Sequence, residues 1–89
     1  MSEVEFIIID HLYFVTDYAE FKMSTSFDDQ LLKAILWQLM EKRWIKCLSD
    51  PETEIWPNIG EFDQNFTEYH YLATKQGLIV HNERSSQNG

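Results

Sequence analysis

Cys47 is the chain's one thiol, and His11, His70 and His81 are its only imidazoles. A nucleophilic site would set a thiolate beside one of these bases. Cys47, however, lies in the apolar run Trp44-Ile45-Lys46-Cys47-Leu48, where burial disfavours the thiolate, so the residue reads as structural. A metal centre needs three or four ligands at suitable spacing, and the chain has no Cys-x-x-Cys, no His-x-x-x-His and no acidic calcium loop. Its glycines, Gly60, Gly77 and Gly89, supply neither a phosphate loop nor a dinucleotide fingerprint. The paired acids Asp28-Asp29 and Glu52-x-Glu54 read as a helix start and a solvated loop rather than as an acid and base couple. These residues point away from an enzyme and imply no cofactor and no metal.

Binding is the remaining chemistry, and charge narrows it. The 89 residues carry 7 Lys and Arg against 15 Asp and Glu, a net charge of −8. That balance disfavours nucleic acid and anionic lipid and favours basic partners. The charge is unevenly placed: residues 1–32 carry −6, 33–46 carry +3, 47–68 carry −6 and 69–89 carry +1. Within the second acidic block, Asp50, Glu52, Glu54, Glu61, Asp63 and Glu68 alternate with Trp56, Phe62 and Phe66, and Tyr69 and Tyr71 follow at once. Rings that bury and acids that steer make the composition of a surface for a basic protein. The candidate interface is Trp56, Glu61, Phe62, Asp63, Phe66, Glu68 and Tyr69, and the competing reading is a loop whose rings fold back to cap a small core. The nucleic-acid alternative rests on Lys42, Arg43, Lys46 and Lys75, which do not form one stripe. Trp37 and Trp44, seven residues apart, are a possible homodimer seam or simply the second side of a core helix.

The elements that must position these groups follow from periodicity. Phe27–Arg43 has no Gly or Pro and places Leu32, Ile35, Leu36, Leu39 and Met40 on one face, which predicts an amphipathic helix with Ser26 as N-cap. Glu3–Thr16 is rich in β-branched and aromatic residues and favours strands, with a buried helix as the alternative. Trp44–Leu48 reads as a strand ending at the turn Ser49-Asp50-Pro51-Glu52, and residues 50–66 as loop with a short helix near Ile59–Phe66. Tyr69–Thr74 and Leu78–His81 suit a hairpin around a left-handed Gly77, or else Thr74 caps a final helix. The expected fold is a small α+β domain over residues 1–82, a long central helix on a short antiparallel sheet, with a disordered tail at 83–89. The lone cysteine, the acidic N-terminus and an apolar run of only four residues at Phe6–Ile9 predict a cytoplasmic protein without a membrane span.

A long amphipathic helix, then Trp44-Ile45, an acidic loop, and Tyr71-Leu72-Ala73-Thr74-Lys75-Gln76-Gly77-Leu78 resemble the later half of winged-helix domains of the MarR and PadR type, over residues 27–80. The resemblance implies DNA reading by a recognition helix, with the wing on the backbone. The chain departs from it near Ile59–Phe66, where Glu61 and Asp63 stand beside Gln64 and Asn65 and would be repelled by phosphate. The combined expectation is a winged-helix-like scaffold turned to protein binding, as in an inhibitor, an immunity-type protein or an antitoxin. The alternative is a winged-helix transcriptional regulator.

Overall fold

A computed structural model describes residues 1–87, with side chains through Arg84. The chain opens with helix α1, Glu3–Asp10, where strands were the favoured expectation. Ser2 and Glu5 form a reciprocal capping box at its start. Glu5, Ile8, Ile9 and Leu12 all face inward and are fully or nearly fully buried, a 5-8-9-12 spacing that is helical. The glutamate at the head of that series hides it from a hydrophobicity count. Only Thr16–Asp17 of the N-terminal region is extended, as strand β1. Helix α2, Tyr18–Met23, follows under an Asp17 cap.

The central helix α3 spans Asp29–Glu41, shorter at both ends than the periodicity predicts. Its cap is Asp28 rather than Ser26: the Leu31 amide donates to the Asp28 carboxylate at 2.9 Å. Leu32, Leu36, Leu39 and Met40 turn inward. The helix stops in a Schellman turn, with the Arg43 amide on the Met40 carbonyl at 3.0 Å and the Trp44 amide on the Leu39 carbonyl at 3.0 Å. Arg43 takes the left-handed position there, at φ 63°. Lys42 and Arg43 therefore stand beyond the helix rather than in its last turn.

Strand β2, Ile45–Asp50, turns back into β3, Thr53–Ile55, a strand inside a region expected to be loop. Helix α4, Ile59–Asn65, lies where the short helix was expected and runs into a 3₁₀ turn at Phe66–Glu68. Strand β4 is His70–Ala73, and helix α5 runs from Lys75 to Gln87. All strand pairs are antiparallel in the order β1-β4-β2-β3. Register places Thr16, Tyr71, Cys47 and Ile55 in one row across all four strands, and Ile45 beside Ala73. Alternation then sends Ile45, Cys47, Tyr71 and Ala73 into the core with the inner faces of α1, α2 and α3.

The second half of the expected hairpin is helix instead. Thr74 caps α5 through the Gly77 amide at 3.1 Å and donates its hydroxyl to the Arg43 carbonyl. Gly77 is not left-handed; it is buried, and a Cβ there would lie 2.0 Å from the Trp44 carbonyl oxygen. The tail expected from Glu83 onward is helical to Gln87, and residues 88–89 lie outside the described residues. Helix α5 returns to α1, where Arg84 donates to the Ser2 carbonyl at 2.9 Å and lies 4.8 Å over the Phe6 ring. Among the described residues no helix is long and apolar enough to cross a membrane. The result is an α+β domain with one central helix against a short antiparallel sheet.

Candidate interaction surface

The connection between β2 and β4 carries the acidic block, and its rings and acids separate. Phe62 is 1% exposed and belongs to the core, so it is no surface anchor. Phe66 is half-buried, edge-on to Tyr18 at 5.2 Å and tilted against Phe62 at 5.9 Å. Tyr71 is fully buried and donates its hydroxyl to the Phe66 carbonyl at 2.6 Å, and Tyr69 packs half-buried against the core. The rings therefore tie the connection down, as the competing loop reading holds. Trp56 is the exception, 46% exposed, with the Arg43 guanidinium 4.2 Å over its ring.

The acids point outward. Glu52, Glu54, Glu61 and Glu68 are exposed and meet no cation among the described residues. Glu61 is engaged locally, accepting from the Asn58 amide group while the Asn58 side chain accepts from the Glu61 backbone, both at 2.9 Å. Asp50 is held below the ordinary carboxylate range by hydrogen bonds from Glu52 and Thr53 at the turn. Asp63 pairs with Lys33 of α3, the one base in an ion pair with this block among the described residues.

The chain's bases are mostly committed. Lys22 pairs with Asp29 at 2.8 Å and Lys42 with Glu5 at 2.7 Å. Arg43 lies on Trp56 and Arg84 on Phe6. Lys46, half-buried on β2, and Lys75, exposed at the start of α5, have no ion pair among the described residues. Of the four residues that would contact nucleic acid, Lys42 is therefore tied to α1, Arg43 to the acidic connection, and the other two stand on separate elements.

Trp37 and Trp44 are not stacked along one helix. Trp37 sits on α3, half-buried and tilted 5.3 Å from Phe62. Trp44 lies past the helix end, under the Lys42 ammonium at 4.6 Å, with its carbonyl bonded by the Thr74 amide.

A groove missed by sequence reasoning runs between α3 and the segment from Trp56 to Asp63. One depression, about 240 Å³, is lined by Trp37, Met40, Glu41, Arg43, Trp56 and Pro57. A smaller one, about 140 Å³, is lined by Lys33, Ala34, Trp37, Ile59, Phe62 and Asp63. Trp37 belongs to both, and Ile59 on the rim is 64% exposed. The available signal was Ile59 itself, three residues before Phe62, an apolar residue in excess of what a seven-residue helix needs to pack.

Groups with reactive potential are elsewhere. The Cys47 thiol is buried and desolvation pushes it up to about 12, so it is protonated at neutral pH. His81 is buried, stacked on Phe6 at 4.0 Å with the Tyr13 hydroxyl 2.9 Å from Nδ1. Among the described residues no three His, Cys, Asp or Glu side chains gather where they could hold a metal ion. No family model, no curated protein and no solved structure matches the chain.

Proposed function

We propose that the chain is a small, non-enzymatic, acidic interaction module whose β2–β4 connection binds a basic protein, in the manner of an inhibitor, an immunity-type protein or an antitoxin. The observation that carries this reading is the asymmetry of neutralisation. Three of the seven bases are held in ion pairs and two lie over rings, while Glu52, Glu54, Glu61 and Glu68 face outward and meet no cation among the described residues. Unpaired like charge on one segment raises the encounter rate with a basic partner and contributes nothing to holding the fold.

Glu61 and Asp63 are poor test positions, because one holds the Asn58 cap of α4 and the other pairs with Lys33. The triple variant Glu52→Lys, Glu54→Lys, Glu68→Lys avoids both. In affinity capture from the native host, the wild type should retain a basic protein that the triple variant loses. Equal capture by the two proteins would defeat the proposal.

A winged-helix regulator remains the second reading, favoured by one observation. Helices α2 and α3 lie in sequence between β1 and β2, and β4 pairs between those two strands, an arrangement compatible with a helical pair followed by a wing holding β3 and α4. The outward residues of α3 include Asp29, Gln30, Leu31, Ala34, Gln38 and Glu41, with Lys33 committed to Asp63. That face suits protein better than phosphate. Retention on duplex DNA that falls steeply with salt would reverse the preference.

A further inference from the structure

The groove between α3 and α4 gives the proposed partner a shape as well as a charge. We infer that it receives an amphipathic helix of the basic partner, with apolar side chains seated on either side of Trp37 and Lys or Arg side chains facing the acidic rim. This rests on the reading of the chain as an acidic interaction module.

Three observations carry it. First, the two depressions share Trp37 and lie one to two turns apart along α3, between Lys33-Ala34 and Met40-Glu41. Apolar anchors at i and i+4 or i+7 on a partner helix have that separation. Second, apolar surface is left open there: Trp56 and Ile59 are 46% and 64% exposed, and unlike the more exposed Phe14 and Met23 they belong to a segment that borders the two depressions. Third, the far wall is part of the segment that carries six acids and no base: Asp63 lines the smaller depression, exposed Glu61 stands on the same helix, and the near wall ends in Glu41, which has no ion pair among the described residues. The two cations of the groove are spoken for, Lys33 by Asp63 and Arg43 by the Trp56 ring. Charge complementarity therefore selects a basic helix over an acidic one.

Arg43 marks the groove as more than a packing defect. A residue at C′ of a helix is usually glycine, since a left-handed φ of 63° strains a side chain. Here an arginine bears that strain and spreads its guanidinium over Trp56, closing one end of the larger depression.

The test uses the full chain and three synthetic helical peptides: leucines at i and i+4 among lysines, serines in place of the leucines, and glutamates in place of the lysines. The indole signals of the three tryptophans are followed by NMR during titration. The leucine–lysine peptide should move the Trp37 and Trp56 signals and bind at least about tenfold more tightly than either other peptide. The substitution Ile59→Ser, at an exposed position, should remove that advantage, and Ala34→Gln, which fills the smaller depression, should do the same. Equal binding of the serine–lysine peptide, lost in the Glu52→Lys, Glu54→Lys, Glu68→Lys variant, would overturn the groove and leave the acidic surface standing. Equal binding of the leucine–glutamate peptide would overturn the basic partner instead. No movement of Trp37 or Trp56 with the leucine–lysine peptide would overturn the inference outright.

Discussion

Gly77 lies in the first turn of α5 with an ordinary helical backbone, so its role is steric rather than conformational. A Cβ would stand 2.0 Å from the Trp44 carbonyl oxygen and 2.8 Å from the carbonyl carbon, both backbone atoms. Gly77→Ala should therefore destabilise by roughly 1–3 kcal/mol although alanine is the better helix former, because α5 must move off the start of β2. Thermal unfolding checks it: a fall of several degrees is expected, and an unchanged or higher midpoint would mean that α5 is not seated there. The residue also shows where single-residue signals mislead. A glycine after Tyr-Leu-Ala-Thr-Lys-Gln fits a left-handed turn as well as a close helix contact, and only the Trp44 carbonyl, 33 positions away in sequence, distinguishes them. Phe62 and Trp56 make the same point at the surface. Both are rings among carboxylates, and burial of one and exposure of the other are decided by α3, outside their own segment.

Elements with local signals were legible: α3 from its apolar stripe, β2 from its alternation up to the Ser49–Glu52 turn, and α4 from the residues after Pro57. Helix α1 was harder because its decisive residue is polar. Glu5 is 2% exposed and joins α1 to the end of α3, accepting from the Ser2 amide at 2.9 Å, from Lys42 at 2.7 Å and from Gln38 at 3.2 Å. Burial alone would raise its carboxyl, but the Lys42 and Ser2 hydrogen bonds and the Lys42 charge outweigh this and hold it below the ordinary glutamate value. A carboxyl depressed on folding contributes stability that is present above its unfolded pKa and lost as pH falls through its folded one. Glu5→Gln should thus cost about 1.5–3 kcal/mol at neutral pH, the range for a hydrogen bond to a charged group. It should also flatten the decline of stability between roughly pH 5 and pH 2. Urea titrations of both proteins across that range would show it, and parallel curves would deny Glu5 the role. Asp29 and Asp50 are depressed in the same direction in both proteins, so they cancel in the comparison.

At the scale of the molecule, the sequence makes the charge excess visible and the structure shows where it is paired and where it is not. Fifteen acids against seven bases are compatible with folding because the bases go where they bridge elements: Lys42 from the end of α3 to α1, Lys33 from α3 to α4, Lys22 from α2 to α3. The carboxylates left over repel one another at low salt, and that repulsion opposes compaction. Replacing Glu52, Glu54 and Glu68 by lysine removes three negative charges and adds three positive ones, changing the net charge from −8 to −2 without touching an ion pair. Were these acids structural, the triple variant would unfold earlier than the wild type. If they serve a partner, the variant should unfold at the same temperature or a few degrees later at low ionic strength, and the difference should shrink as salt screens the wild type. Thermal unfolding of both proteins at low and high salt decides between the two. A variant that melts well below the wild type at every ionic strength would assign the acidic block to the fold, and would remove the charge asymmetry as an argument for binding.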